Sequence, residues 1–163
     1  VCSSDLPAPT TRRPMWPYVT EGDLLPPLSV TIGAAQLFQL SAVMNLAHRI
    51  HYDLEWARHE GYPNLVIHAP FHGEVMVQMI RNWMGPSGWL KKISYQNRHY
   101  AVLGDTLTGS GVIARRYEEG DLFLVDLKLE VSKTGPDGER IITAPGTATV
   151  ALPTRAVQVP IPH

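Results

Sequence analysis

Pro70-Phe71-His72-Gly73-Glu74-Val75-Met76-Val77-Gln78-Met79-Ile80-Arg81-Asn82-Trp83-Met84 is the stretch on which the fold turns. Proline suits a first helical position, where its missing N–H costs nothing. Phe71, Val75, Met76, Met79, Ile80, Trp83 and Met84 recur at helical spacing and make a wide apolar face, with Glu74, Gln78, Arg81 and Asn82 on the other side. Gly85-Pro86 stops the helix. So wide a face needs a sheet or a second layer to cover it, and the methionine and aromatic stripe reads as core.

Downstream the period changes from 3.6 to 2. Residues 93–102, 105–117, 122–133 and 140–152 read as four strands of an antiparallel meander, separated by turn signals such as Glu118-Glu119-Gly120-Asp121 and Thr134-Gly135-Pro136-Asp137-Gly138-Glu139. In the third of them Phe123, Val125, Leu127, Leu129 and Val131 face one way, and Asp126, Lys128, Glu130 and Ser132 the other, as in a sheet with one covered face. Pro145-Gly146 inside the last strand implies a bulge or an edge. The expected class is α+β, one long apolar helix laid on a mostly antiparallel sheet.

Upstream, residues 34–44 form a helical pattern, Leu37, Phe38, Leu40 and Met44 with small or amide residues between, expected to be largely buried. Asp53 before Leu54-Glu55-Trp56-Ala57 has the chemistry of an N-cap for a short helix ending at Gly61. Residues 28–32 read as a short strand, and the proline-rich residues before them as an extended arm. In that arm Arg12 and Arg13 either decorate a surface strap or meet ligand phosphates. Read back into codons, Val1-Cys2-Ser3-Ser4-Asp5-Leu6 resembles the tail of a sequencing adapter, so residues 1–6 are set aside from fold reasoning. The expected organisation is residues 1–27 as scar and arm, residues 28–152 as one domain, and residues 153–163 as a loose tail.

Composition narrows the function. With 163 residues, 44% of them hydrophobic, the chain can build one sizeable core. A formal net charge of -1 gives no basic field for nucleic acid. One cysteine, Cys2, allows neither an internal disulfide nor a cysteine zinc site, and no apolar run is of bilayer-spanning length. The expectation is a cytoplasmic protein with no membrane partner. No glycine-rich phosphate loop of Rossmann or Walker type is present. Lys91, Lys92, Arg98, Arg115 and Arg116 lie on strands or strand ends, as solvated charges or as partners for ligand phosphates.

Three of the seven histidines, His48, His51 and His68, fall just before the long helix, in Asn45-Leu46-Ala47-His48-Arg49-Ile50-His51-Tyr52-Asp53 and Asn64-Leu65-Val66-Ile67-His68-Ala69-Pro70. Imidazole is the side chain matched to proton transfer near neutral pH. A buried imidazole bonded to backbone is the structural alternative for each. His48, His51 and Asp53 are metal-ligand types, but no metal is expected there.

His51-Tyr52-Asp53-Leu54-Glu55-Trp56-Ala57, then Gly61-Tyr62-Pro63 through His68-Ala69-Pro70, then Leu103-Gly104-Asp105-Thr106-Leu107 carry a resemblance to the MaoC-like dehydratase and enoyl-thioester hydratase family. Asn45 with His48-Arg49-Ile50-His51-Tyr52-Asp53 is closest to its mesaconyl-thioester hydratase and mitochondrial-type 3-hydroxyacyl-thioester dehydratase branch. The resemblance implies a hot-dog fold, a curved sheet wrapped around a central helix. It also implies reversible hydration of 2-enoyl thioesters to 3-hydroxyacyl thioesters, with coenzyme A or an acyl carrier's pantetheine as part of the substrate, no further cofactor, and a homodimer through the sheet or a heterodimer. The family pairs an aspartate with a histidine five residues later. His51 matches the histidine; five before it stands Leu46, with Asn45 adjacent. Asparagine orients a water but exchanges no proton at neutral pH, which leaves acid–base work to His51, with His48 as a second candidate. The thioester oxygen is expected to meet the Ala69 amide at the head of the helix, with His68 and Phe71 beside it and further first-turn amides, Phe71 and His72, in reserve. A hot-dog thioesterase and a non-catalytic acyl-thioester-binding subunit are the alternatives.

Overall fold

The computed structural model describes residues 14–159; residues 1–13, with Cys2, Arg12 and Arg13, and residues 160–163 lie outside the described residues. The long helix forms as its sequence requires. Helix α3, Ala69–Met84, has Pro70 in its first turn and Gly85 at its C-cap with φ +66°. Val75, Met76, Met79 and Ile80 are buried along it and meet Leu107, Ile113, Val125, Leu127, Leu129, Val131 and Val150 in one core.

Five antiparallel strands curl around that helix: β1 Leu28–Thr31, β2 Trp89–Tyr95, β3 Thr106–Glu119, β4 Leu122–Thr134 and β5 Arg140–Ala151. Their order in the sheet is β1-β3-β4-β5-β2. Strands β3, β4 and β5 are the expected meander, but β2 pairs with β5, not with β3. Residues 96–102, expected to belong to β2, instead run past β5 and across the head of α3. Arg98 N–H donates to Thr143 O at 2.8 Å, Ile67 N–H to Ala101 O at 2.8 Å, and Leu103 N–H to Leu65 O at 2.8 Å. Backbone bonds to that loop satisfy these groups, so the strand has no reason to run on. Pro145 and Gly146 are themselves regularly paired, with Glu130 and Leu129, and the bulge of the strand lies just before them. Strand β5 is interior, and Thr143 is an extra residue between the pairs Val131↔Ala144 and Ser132↔Ile142.

Helix α1, Ala34–Val43, departs from expectation in burial. Leu37 is fully buried, while Phe38 is 60% and Val43 84% exposed. The helix lies beside the sheet, not under it, and seats only the stripe of Leu37, Leu40 and Ser41, leaving its other apolar residues outward. Helix α2, Leu54–His59, is capped as expected, Trp56 N–H donating to Asp53 Oδ1 at 3.0 Å, and ends before Gly61 at φ +91°.

The described part of the arm is a strap over the sheet. A short 3₁₀ turn, Trp16–Tyr18, packs on Phe123 with ring centroids 5.0 Å apart, and Arg116 lies over the Trp16 ring at 4.5 Å and donates to Val19 O at 3.1 Å. The tail is less loose than expected at its start, because Trp16 N–H donates to Pro153 O at 3.0 Å. Among the described residues no helix is long and apolar enough to cross a membrane.

Candidate active site

The two histidine-bearing segments, on either side of α2, are clipped together by backbone. Val66 N–H donates to Ile50 O at 2.9 Å, and Asn64 Nδ2 donates to Leu103 O at 2.8 Å. Asp105, in turn, accepts from Val102 N–H at 2.8 Å and from Lys133 Nζ at 2.7 Å, which braces the loop holding Leu103. Three separate stretches, near residues 50, 65 and 103, therefore make one platform at the N-terminus of α3.

His51 closes a 3₁₀ turn, Arg49–His51, and its Nδ1 lies 2.7 Å from Val66 O. A carbonyl only accepts, so Nδ1 carries the hydrogen and Nε2 presents a lone pair. Burial holds the His51 pKa below the usual histidine value; the Val66 carbonyl opposes that shift and the neighbouring His48 adds to it. That direction favours the neutral ring, the state a general base requires.

His68 lies against it. The two rings stack with centroids 3.7 Å apart and planes 20° from parallel. His68 is fully buried and its pKa is pushed down to about 4, by burial first and by His51 second. Its Nε2 meets Ser41 Oγ at 3.0 Å. Ser41 had no place in the sequence reading; the only signal is a hydroxyl on the otherwise apolar face of α1, one turn after Leu37.

The remaining candidates divide. His48 is exposed, with its Nδ1 accepting weakly from Ile50 N–H at 3.4 Å and its Nε2 3.6 Å from Glu60 Oε1. Its ring centroid is 6.4 Å from that of His51. Asn45 is exposed just beyond α1 at φ +52°, a left-handed conformation that asparagine adopts more readily than most residues. Its side chain makes no hydrogen bond among the described residues. Ala69 opens α3 and its N–H has no acceptor among the described residues, as expected of a first-turn amide. Phe71 N–H, by contrast, is spent on His68 O at 3.0 Å, so that amide is not in reserve. Asp53 is occupied by the α2 cap and by Arg49 Nε at 3.0 Å, and these two contacts, the cap first, hold its carboxyl below the usual range.

The strand cations are spent locally or point outward. Lys91 pairs with Glu119 at 2.9 Å, Arg115 lies over Tyr117 at 4.3 Å, and Arg116 holds the strap. Lys92 and Arg98 are exposed, Arg98 against Gln96.

A sequence profile of the hydroxyacyl-thioester dehydratase type 2 family matches residues 9–103, more than half of the chain and all of the clipped segments. The chain belongs to that family. A mesaconyl-C(4)-CoA hydratase of Chloroflexus aurantiacus is 33% identical over 109 residues, covering 66% of this chain and 34% of the relative, so the chain spans about a third of that protein's length. Among solved structures, the (R)-hydratase PhaJ1 of Pseudomonas aeruginosa superposes with a TM-score of 0.75 at 16% identity, over 91% of this chain and 92% of that one. The ChsH1–ChsH2 complex of Mycobacterium tuberculosis gives 0.68 at 18% identity, over 82% and 98%. At such identities the structures establish the fold, and it is the hot-dog fold that the sequence resemblance implied.

Proposed function

We propose that this hydroxyacyl-thioester dehydratase family member is a hydro-lyase that interconverts a 2-enoyl thioester and its 3-hydroxyacyl thioester, carried on coenzyme A or an acyl carrier protein. The observation that carries the reading is the His51 hydrogen bond to Val66 O, which leaves Nε2 of a half-buried imidazole as a base, on a ring stacked against His68, the residue just before the Ala69 amide that opens α3.

In the hydration direction, His51 Nε2 takes a proton from water as its oxygen bonds to the β-carbon. The electron pair of the double bond moves toward the thioester, and the negative charge that develops on the carbonyl oxygen meets the Ala69 N–H and the positive end of the α3 dipole. The α-carbon then receives a proton from the imidazolium, which restores His51. Asn45 orients the water and Phe71 lines the thioester end. No cofactor beyond the substrate's own carrier enters the scheme. The chain works as a cytoplasmic homodimer through the sheet.

Incubating the protein with crotonyl-CoA and longer enoyl thioesters tests this: loss of enoyl absorbance supports the reading. Release of free thiol would point to a thioesterase. One observation favours a second reading. Leu46 stands where the family keeps its carboxylate, and one matched fold is that of a two-chain complex, so a non-catalytic subunit that binds acyl thioesters beside a competent partner is the rival. Binding of an acyl-CoA without turnover would establish the rival and overturn the hydratase.

A further inference from the structure

The proposed reaction leaves one buried pair unused. Ser41 Oγ is 3.3 Å from Leu37 O, one helical turn back, and 3.0 Å from His68 Nε2. With the hydroxyl donating to Leu37 O, the usual bond of a serine inside a helix, His68 Nε2 must carry the hydrogen and donate to Ser41. His68 Nδ1 is then a buried acceptor with no partner among the described residues. Leaving a buried acceptor unpaired carries the full cost of its lost hydration. A histidine kept only for packing would settle with both nitrogens satisfied.

What the orientation achieves is the stack on His51. A flat neutral ring 3.7 Å away shields one face of the His51 imidazole from water and offers a π surface when that imidazole becomes charged. The other groups near His51 do not do this: Val66 O takes Nδ1, His48 stands at 6.4 Å, and Glu60 lies beyond it against His48. No carboxylate hydrogen-bonds to His51 among the described residues.

We infer that Ser41 and His68 are a positioning pair for His51, Ser41 fixing the tautomer and rotation of the His68 ring and His68 holding the His51 ring so that Nε2 faces the site. The inference rests on the reading of His51 as the acid–base group, and neither residue of the pair touches reacting atoms. Because Ser41 acts only through His68, its loss should matter only while His68 is a histidine.

Two measurements on the intact chain test this. In the first, histidine-¹⁵N spectra without substrate should show His51 protonated on Nδ1 and His68 on Nε2. Ser41→Ala should let His68 exchange tautomers and move the His51 titration midpoint upward, as water reaches its face. In the second, kcat for crotonyl-CoA hydration should fall about tenfold in Ser41→Ala with KM within about twofold, since the pair orients the base and touches no substrate atom. The acid limb of its pH profile should shift with the His51 midpoint. His68→Phe keeps a flat ring; adding Ser41→Ala to it should cost nothing further. Ser41→Cys, similar in size and a weak donor, should fall between wild type and alanine, and it stands in if the alanine variant does not fold. Unmoved tautomer and midpoint, or a full penalty for Ser41→Ala on the His68→Phe background, overturn the pair. If the wild-type chain hydrates nothing, the functional reading fails while the spectra still judge the pair.

Discussion

Among the described residues His51 makes one short bond to a carbonyl and none to an acid, and its chemistry follows from that. A base held neutral by burial loses its function only when protonated. The acid limb of kcat/KM should therefore have its midpoint below the ordinary histidine value of about 6.5, activity falling as pH is lowered through it. A midpoint at or above that value in a pH–rate series would contradict the burial argument. His51→Ala should lower kcat/KM about 100- to 10,000-fold, read from enoyl absorbance, and lower the melting temperature as well, because it orphans the Val66 carbonyl and removes the ring stacked on His68. For Asn45 the backbone and the amide can be separated. Asn45→Gly accepts φ +52° without strain, so it should keep the melting temperature and lower kcat, while unchanged kcat would remove the amide from the mechanism. The sequence could point to His51 because a motif carries it. It could not reveal Ser41, whose role depends on a partner 27 positions away and on the rotation of one ring.

Helix α3 sits close to β2 because Gly73 has no side chain. A Cβ placed there would lie 2.4 Å from Tyr95 Cζ and Oη. Gly73→Ala should therefore destabilise by about 1–3 kcal/mol through overpacking, and the penalty should shrink in a Tyr95→Leu background, both read by urea denaturation. An unchanged penalty in that background would mean the strain is borne elsewhere. This closeness was hidden in the sequence, since it joins residues of two elements. Helix α3 itself was readable because its apolar face is wide and its ends are punctuated. Helix α1 misled for a related reason: apolar side chains show what an element can bury, not how much neighbouring surface exists to bury it against. Strand β2 likewise read too far downstream: residues 96–102 carry no turn signal before Leu103-Gly104, yet their backbone bonds go to the head of α3 and to Thr143.

Two neutral imidazoles sit inside the folded chain, and this couples its stability to pH. His68 and His72 are both nearly inaccessible, and both have pKa values pushed down to about 4, chiefly by burial, with smaller contributions from the neighbouring His51 and Lys133 respectively. His72 Nδ1 lies 3.0 Å from Thr143 Oγ1, whose hydroxyl donates to Val131 O at 3.0 Å, so that ring is tied into the β5 bulge as a donor. In the unfolded chain each imidazole binds a proton near pH 6.5; in the folded chain it resists until about pH 4. Between those values the unfolded state holds more protons, so stability is full above about 6.5 and drains as pH falls toward about 4, below which these two groups remove no more. At about 1.4 kcal/mol per pH unit, each group accounts for at most about 3 kcal/mol over that window. Urea unfolding at pH 7.5, 5.5 and 4.5, at fixed protein concentration, should show the decline, and His72→Gln, which can still donate to Thr143, should flatten it by roughly half. A slope unchanged by that substitution would mean that His72 is already protonated in the folded chain near pH 6, and that the bulge at Thr143 accommodates the charge.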